Sequence, residues 1–372
     1  DLLALAEAWN TGTAQPLTPG GATFDGREAW ALFERAARST DPTHPELALL
    51  AKGRLVILLE RGRRGVPRDR ARAAALWQEI AKPLGERAAA GDPRAAYLVA
   101  TVRLGKLAGP PDLPAAKALL DRAASAPPFV GQSWVFHTLG WLSEFGVASP
   151  NARTAMDHYR RAVEAGNVVS RYDLGRMLLA SGPLADCKEA LRHLEVSAAA
   201  GYSQASAYLG KSLLYGGGTC LEPNAAAALP HLERAHRARE DGAAYDLGFA
   251  LLSGSDPRRG LELLSTAPGT LPSDLLAFAY ATGMAVPRDV AAARRFRAEA
   301  ARRGSDQWNS LLSAEGPKPL AFFRDGLKRL EKLAASGDPV AQAHLAELLS
   351  VGVFGESDPA RVRLRYLAPG AP

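Results

Sequence analysis

The chain has 372 residues and a formal net charge of +6, and 47% of its residues are hydrophobic although only 7% are aromatic. Much of the apolar content is Ala, which favours helices and lets helices approach one another closely. Runs of Val, Ile and Thr typical of strands are nearly absent, and no stretch reaches the roughly 18–20 apolar residues that a membrane-spanning helix requires. The composition therefore predicts a large all-α protein and argues against a transmembrane helix.

The first 43 residues have the pattern of a partial helical hairpin. A first helix precedes a long loop from Thr11 to Phe24, and a second helix is predicted from Arg27 to Ser39. Terminal units of repeat arrays are atypical because they cap the apolar stack, so we interpret residues 1–43 as a partial N-terminal capping repeat. Because the sequence begins at Asp1 and not at Met, we expect a processed or trimmed protein, and a removed leader would be compatible with a lipid anchor.

Residues 44–304 repeat with a period near 35. A Gly that directly follows Leu marks the centre of a predicted first helix in each unit. A Gly inside a helix costs about 1 kcal/mol of helix propensity, so we predict that each of these Gly residues permits close packing of a neighbouring helix. The marker recurs at spacings of 35, 35 and 38 residues, at Gly140, Gly175, Gly210 and Gly248.

The second helix of each unit follows a turn rich in Gly, Pro and Asp and is predicted to end at a left-handed Gly, as at Gly166 and Gly201. The hairpin at residues 255–285 is predicted to be shortened, and residues 305–320 interrupt the period. We therefore interpret residues 305–372 as an irregular insertion followed by a C-terminal capping repeat.

These features together resemble Sel1-like repeats of the tetratricopeptide superfamily. The pattern is a small residue and Tyr-x-Leu-Gly, a Gly-Val-x-x-Asp turn, and a second helix with Trp or Tyr that ends in Ala-Ala-x-x-Gly. One unit carries it at Gly62, Gly65, Val66, Asp69, Ala73 and Trp77. The resemblance covers residues 44–366. It implies a right-handed superhelical solenoid of about eight antiparallel helical hairpins, which binds partner proteins of the bacterial envelope through its concave face and has no catalytic site.

The uneven quality of the repeats is similar to that of the periplasmic repeat scaffold of alginate and related exopolysaccharide secretion systems. This second resemblance implies contact with an anionic polysaccharide or with polymer-modifying enzymes. A third hypothesis, a hydrolase acting on the cell wall, lacks a nucleophile motif. The sequence contains no Gly-x-Ser-x-Gly elbow, phosphate-binding loop or His-Glu-x-x-His motif, so we expect no catalytic residue, cofactor or metal site. His193 and His231 occupy equivalent repeat positions, and we interpret both as structural.

The two cysteines, Cys187 and Cys220, lie in successive units. Stacking of the hairpins would bring their regions together, so we predict a disulfide, which stabilises by about 3–4 kcal/mol in the chain-entropy model. The alternative is two free thiols packed as small apolar groups. An oxidised pair would favour a periplasmic or outer-membrane-associated location.

Two groups of side chains are candidates for partner binding. Trp134 and Trp141 are seven residues apart and hence on similar faces of one helix; an exposed pair could stack on a sugar ring or grip a peptide, and the alternative is a place in the core. Arg294, Arg295 and Arg297 form a basic cluster suited to an acidic partner or an anionic polymer, unless they are merely solvated. No motif for nucleic-acid binding accompanies them.

Overall fold

A computed structural model describes residues 2–14, 24–41, 43–62, 66–146, 150–181, 184–217, 221–303 and 321–350. Within these ranges the protein forms 18 α-helices and no β-strand, which confirms the all-α prediction. The chain divides into two compact units, residues 1–205 and 206–372, and each is described by itself. No helix in the described part of the chain is long and apolar enough to cross a bilayer.

The first unit contains ten helices and the start of an eleventh. They are α1 (Leu2–Thr11), α2 (Gly26–Ala37), α3 (Glu46–Arg61), α4 (Arg70–Ala89), α5 (Pro93–Leu104), α6 (Leu113–Ala124), α7 (Gln132–Trp141), α8 (Ala152–Glu164), α9 (Val168–Ser181), α10 (Leu184–Ala199) and α11 (Ser203–Tyr215). A π-helical turn, Leu142–Gly146, extends α7 at its C-terminal end.

The second unit continues from α11. Its helices are α12 (Ala225–Arg237), α13 (Ala243–Leu252), α14 (Pro257–Thr266), α15 (Leu271–Thr282), α16 (Val290–Arg302), α17 (Ala321–Ala335) and α18 (Pro339–Ser350). At ten residues, α14 is short beside the sixteen of α10, as predicted for the hairpin at 255–285. Residues 304–320 and 351–372 lie outside the described part, and the predicted boundaries at residues 43 and 304 stay predictions.

Helices adjacent in sequence pair as antiparallel hairpins. From α1 to α10 and from α13 to α16, an odd-numbered first helix packs against the even-numbered second helix that follows it. Second helices in both units start at an Asp or Asn whose side chain accepts a hydrogen bond from the backbone N–H three residues later. Such an N-cap contributes about 1 kcal/mol and fixes where the helix begins. The caps of this type are Asp69, Asp112, Asn151, Asn224, Asp256 and Asp289.

The Gly residues at the centres of the first helices pack directly against second helices. A Cβ atom added to Gly140 would lie 2.7 Å from ring carbons of Tyr159, and one added to Gly175 would lie 2.8 Å from Cγ of Leu194. A Cβ added to Gly210 would lie 2.8 Å from Leu232, and one added to Gly248 would lie 2.7 Å from Leu264. These contacts confirm the packing role that the repeat pattern predicts.

The predicted helix stops are also confirmed. Gly166 and Gly201 follow α8 and α10 with φ of +86° and +103°. Residues that have a Cβ atom rarely adopt this left-handed backbone conformation. This explains why a Gly separates one hairpin from the next at both positions.

Candidate functional site

In the first unit, partly exposed aromatic and charged groups lie on the face formed by α3, α5, α7, α9 and the turns that precede these helices. We call this surface the first-helix face. Two features stand out on it: the N-terminal segment, which lies across it, and an aromatic pair at the C-terminal end of α7.

The helix α1 is bound to the first-helix face by a buried ion pair. Glu7 pairs with Arg54 of α3, and their side chains are only 6% and 8% exposed. The Arg54 guanidinium also lies over the Tyr97 ring of α5, 4.5 Å from its centroid. Burial opposes the charged form of Arg54, but Glu7 and Tyr97 outweigh it and raise the pKa of the guanidinium. Arg54 therefore stays charged inside an apolar surrounding.

Beside this ion pair, the Leu3 side chain of α1 lines a small cleft. The cleft is formed by residues of α3, α5 and the turn before α7, namely Leu50, Arg94, Leu98, Phe129 and Val130. Gly131 in the same turn leaves room for the guanidinium, because a Cβ there would lie 2.5 Å from an Arg54 nitrogen. Leu3 and Glu7 of α1 thus lie beside residues of three successive hairpins.

The segment after α1 continues along the same face. A Cβ added to Gly12 would lie 2.5 Å from Cγ1 of Val168, the first residue of α9. Further on, the Phe24 N–H donates to the Ala200 carbonyl at 2.9 Å, and the Phe24 ring meets Tyr202 edge to face at 5.4 Å. The described part of this segment therefore contacts elements from α3 to the turn before α11.

The second feature is an exposed aromatic pair. Trp141 is 44% exposed and Phe145, in the π-helical turn, is 59% exposed. Their ring centroids are 6.3 Å apart, and the Arg176 guanidinium of α9 lies 5.9 Å from the Phe145 centroid. Single π-helical turns are frequent at functional sites, and this one places Phe145 beside Trp141 at the open end of α7.

A network of hydrogen bonds holds this pair in position. The Glu144 carboxylate accepts a hydrogen bond from the Tyr159 hydroxyl at 3.0 Å and another from Arg176 at 2.6 Å. Asp173 lies 3.6 Å from Arg176. Burial, together with the Asp173 and Glu144 carboxylates, raises the pKa of Tyr159, so its hydroxyl remains a donor to Glu144. The π-helical turn is thereby fixed to α8 and α9.

His137, Ser170 and Asp173 come together next to this network without forming a nucleophile relay. In such a relay, the imidazole contacts the hydroxyl and the carboxylate through different nitrogens. Here both Ser170 Oγ (3.0 Å) and Asp173 Oδ2 (3.6 Å) face His137 Nδ1. The Ser170 side chain is also fully buried. The trio is therefore a structural contact between α7 and α9.

The predicted exposed tryptophan pair is half wrong. Trp141 is exposed, but Trp134 is only 3% exposed, and its ring packs edge to face on His137 at 5.1 Å. The two residues lie on the same face of α7 but about two helical turns apart along its axis. Trp134 is near the turn at Gly131, which α1 covers, whereas Trp141 lies at the far end of α7.

The predicted arginine cluster also divides. Arg294 and Arg295 are exposed on α16, and Arg295 lies over the Phe296 ring at 4.8 Å. Arg297 instead pairs with Asp274 of α15 at 3.3 Å, and Asp274 is fully buried. Arg294 and Arg295 are thus available to a partner, while Arg297 has a structural contact.

The remaining predictions concern Cys and His. Cys187 is buried in α10, but Cys220 lies outside the described residues, so the disulfide stays a prediction. Burial lowers the pKa of both His193 and His231, in keeping with neutral, structural histidines. Within the described ranges, no group of three or more His, Cys, Asp or Glu could hold a metal ion.

The Glu7–Arg54 pair was not predicted from the sequence. A signal existed, because Arg54 directly precedes the apolar run from Leu55 to Leu59 in α3. Its partner could not be inferred, since Glu7 lies before the repeats and outside their period.

This architecture is that of a helical-repeat solenoid, a class of protein-interaction scaffold. The profile described as Sel1 repeat matches eight segments that together cover most of the sequence, and the chain belongs to the Sel1 repeat family. The matched segments are residues 19–41, 47–82, 93–127, 139–167, 168–202, 203–236, 242–267 and 275–305.

Solved structures with the same architecture include c5321, described as a protective antigen present in uropathogenic Escherichia coli strains displaying an SLR fold. The two proteins are 19% identical with a TM-score of 0.52, over 98% of this chain and 74% of that one. A Sel1 repeat protein from Oxalobacter formigenes is 17% identical with a TM-score of 0.42, over 64% and 91% of the two chains. No curated protein matches this sequence. These likenesses concern the fold.

Proposed function

We propose that this protein is a non-catalytic scaffold of the bacterial envelope that binds a partner protein through the first-helix face of its first unit. The observation that carries the proposal is the exposed pair Trp141 and Phe145, held in place by Glu144, Tyr159 and Arg176. Large aromatic side chains and Arg are enriched at the energetic centres of protein interfaces. A rigid aromatic pair also loses little conformational freedom when a partner covers it.

The surroundings of the pair define the partner surface that would fit. Trp141 and Phe145 offer a flat apolar contact, and the carboxylates of Glu144 and Asp173 next to Arg176 supply a polar rim. An apolar centre within a polar rim is the usual organisation of a protein interface. We infer that a partner segment places an apolar side chain on the aromatic pair and hydrogen-bonding groups on the rim.

A site-specific photo-crosslinker in place of Phe145 tests this function in cells. The matched control carries the crosslinker in place of Val196, which is also exposed and apolar but lies on the second helix α10. We expect one envelope protein to crosslink at position 145 and not at 196, and Trp141→Ala to abolish that crosslink. Equal crosslinking of a partner at both positions, or crosslinking at position 145 that is unchanged by Trp141→Ala, would contradict the proposed site.

Contact with an anionic polysaccharide is the second candidate, and the exposed guanidinium groups of Arg294 and Arg295 support it. Binding of alginate by the purified protein is expected to fall with rising salt, because screening weakens attraction between exposed charges. The double variant Arg294→Glu, Arg295→Glu should lose the binding, whereas Arg258→Glu, Arg259→Glu in α14 serves as the control. Equal loss in both pairs would indicate non-specific attraction.

A further inference from the structure

The position of the N-terminal segment differs from what a repeat array predicts. In a helical solenoid each unit contacts only its neighbours. Here the described residues between Leu3 and Phe24 contact α3, α5, the turn before α7, α9 and the turn before α11. The helix α1 pairs with α2 as the first helix of a hairpin, and in addition its segment lies across successive first helices, as a bound segment would.

We propose that the first-helix face of the first unit is a groove for an amphipathic helix of a partner protein that carries one carboxylate, and that α1 occupies this groove until the partner displaces it. The proposal rests on the scaffold function proposed above and identifies both the binding groove and the chemistry of its occupant.

The shape of the contact supports a helical occupant. Six of the ten α1 residues are buried, and Leu3 lines the cleft together with Leu50, Leu98 and Phe129. The opposite side of α1 is open, since Leu5 is 47% exposed. The groove thus accepts one apolar face of a helix and leaves the other face in solvent.

The charge of the groove supports a carboxylate on that helix. Arg54 lies at its floor against Tyr97, and Gly131 leaves space for the guanidinium. A buried guanidinium needs a counter-ion, and Glu7 of α1 supplies it. Buried ion pairs contribute less to stability than to the choice of partner and register, so the groove selects a helix with an acidic residue at the Glu7 position.

The connection of α1 to the rest of the chain allows it to leave. The helix α2 that follows α1 has its own N-cap, because Asp25 accepts hydrogen bonds from the N–H groups of Arg27 and Glu28. The helix α2 also packs against α3. Release of α1 therefore breaks its hairpin with α2 but no repeat hairpin from α3 onward.

Hydrogen exchange of the full-length protein and binding of a fluorescent peptide with the sequence of residues 2–14 test the proposal. In the wild-type protein, the amides of α1 should exchange by local opening, faster than those of α3. Glu7→Lys places two cations together and should free the groove, so that this protein binds the peptide at least tenfold more tightly than wild type. In the double variant Glu7→Lys, Arg54→Glu the ion pair is restored with reversed charges, α1 returns, and peptide binding should fall back at least tenfold.

Several results would overturn the proposal. One such result is that the α1 amides of the wild-type protein exchange only when the whole protein unfolds, together with those of α3. This measurement requires no variant. Another is a Glu7→Lys protein whose α1 is released but which binds the peptide no better than wild type. If Glu7→Lys does not fold, Glu7→Gln replaces it and must still increase binding. A dimer formed by exchange of α1 between copies would assign the groove to a second copy instead.

Failure of this test is separable from failure of the scaffold function. Crosslinking at position 145 depends on the aromatic pair at the opposite end of α7 from Gly131, and it does not require α1 to move.

Discussion

Arg297 of α16 donates a hydrogen bond over 3.3 Å to Asp274 of α15, whose side chain is completely buried. This pair separates Arg297 from its neighbours Arg294 and Arg295, which are exposed. Removing one member of a buried ion pair leaves the other charge poorly compensated, at a cost of about 3–5 kcal/mol. We expect Arg297→Ala to lower the free energy of unfolding by about 3 kcal/mol, measured by urea denaturation.

Arg294→Ala is the matched control, because it removes an exposed guanidinium from the same helix. Its effect should stay within about 0.5 kcal/mol. Equal effects of the two substitutions would contradict a structural role for Arg297.

Replacement by Ala should change the stability of the protein in opposite directions at two glycines inside helices of the first unit. A Cβ at Gly175 would lie 2.9 Å from the Ala190 carbonyl oxygen and 2.8 Å from Leu194, whereas nothing lies within 4 Å of one at Gly85 in α4. Overpacking costs about 1–3 kcal/mol, so Gly175→Ala should destabilise the protein. Gly85→Ala should stabilise it by about 1 kcal/mol through helix propensity. Thermal unfolding of both variants checks the signs, and a stabilising Gly175→Ala would refute the packing role.

The two tryptophans of α7 should differ in stability and in binding. Trp134→Ala empties a buried site and should cost about 3–5 kcal/mol, while Trp141→Ala should change the free energy of unfolding by less than about 1 kcal/mol. Partner capture, in contrast, should depend on Trp141. Denaturation curves followed by circular dichroism give both free energies, and a large cost for Trp141→Ala would place that ring in the core.

The stability of the second unit should depend on pH through His344 of α18. Burial, followed by the charges of Arg297, Arg288 and Arg294, lowers the pKa of His344 to about 4, against the opposing effect of Asp338. The unfolded chain then binds the proton more tightly than the folded one. The free energy of unfolding should therefore fall as the pH drops from about 6.5 to 4, by up to about 3 kcal/mol.

Replacing His344 by Gln removes this titration. The difference in the free energy of unfolding between neutral pH and the acid end of this window should be smaller in the variant than in the wild type, as measured by denaturant titration. An unchanged difference would show that other groups account for the pH dependence.

The predicted disulfide can be tested on protein taken directly from cells, without exposure to reductant. If Cys187 and Cys220 are paired, alkylation without reductant should add no mass, and alkylation after reduction should add two labels. The double variant Cys187→Ser, Cys220→Ser should lose about 3 kcal/mol of stability under oxidising conditions. Labelling of both thiols without reductant would remove the main support for a periplasmic location.

Local chemistry explains which parts of the fold could be predicted. The caps at Asp69 and Asp289 and the packing at Gly175 and Gly248 recur with the repeat, so the period reveals them. Helical spacing placed Trp134 and Trp141 on one face correctly. It could not show that Trp134 is buried and Trp141 exposed, because exposure depends on neighbouring elements that the spacing within one helix does not reveal. The Glu7–Arg54 pair was missed because Glu7 lies outside the repeats that share the period.

The N-caps of the second helices also bear on how this protein can change in length. Each cap fixes the start of its helix through a hydrogen bond to the helix's own first turn, so the start does not depend on the residues that precede the cap. The turn in front of the cap spans residues 253–256 in one hairpin and 216–224 in another, and both hairpins keep their Gly contacts. Insertions in these turns should therefore be tolerated, and new loops can be added to the array without disturbing the stacking of its helices.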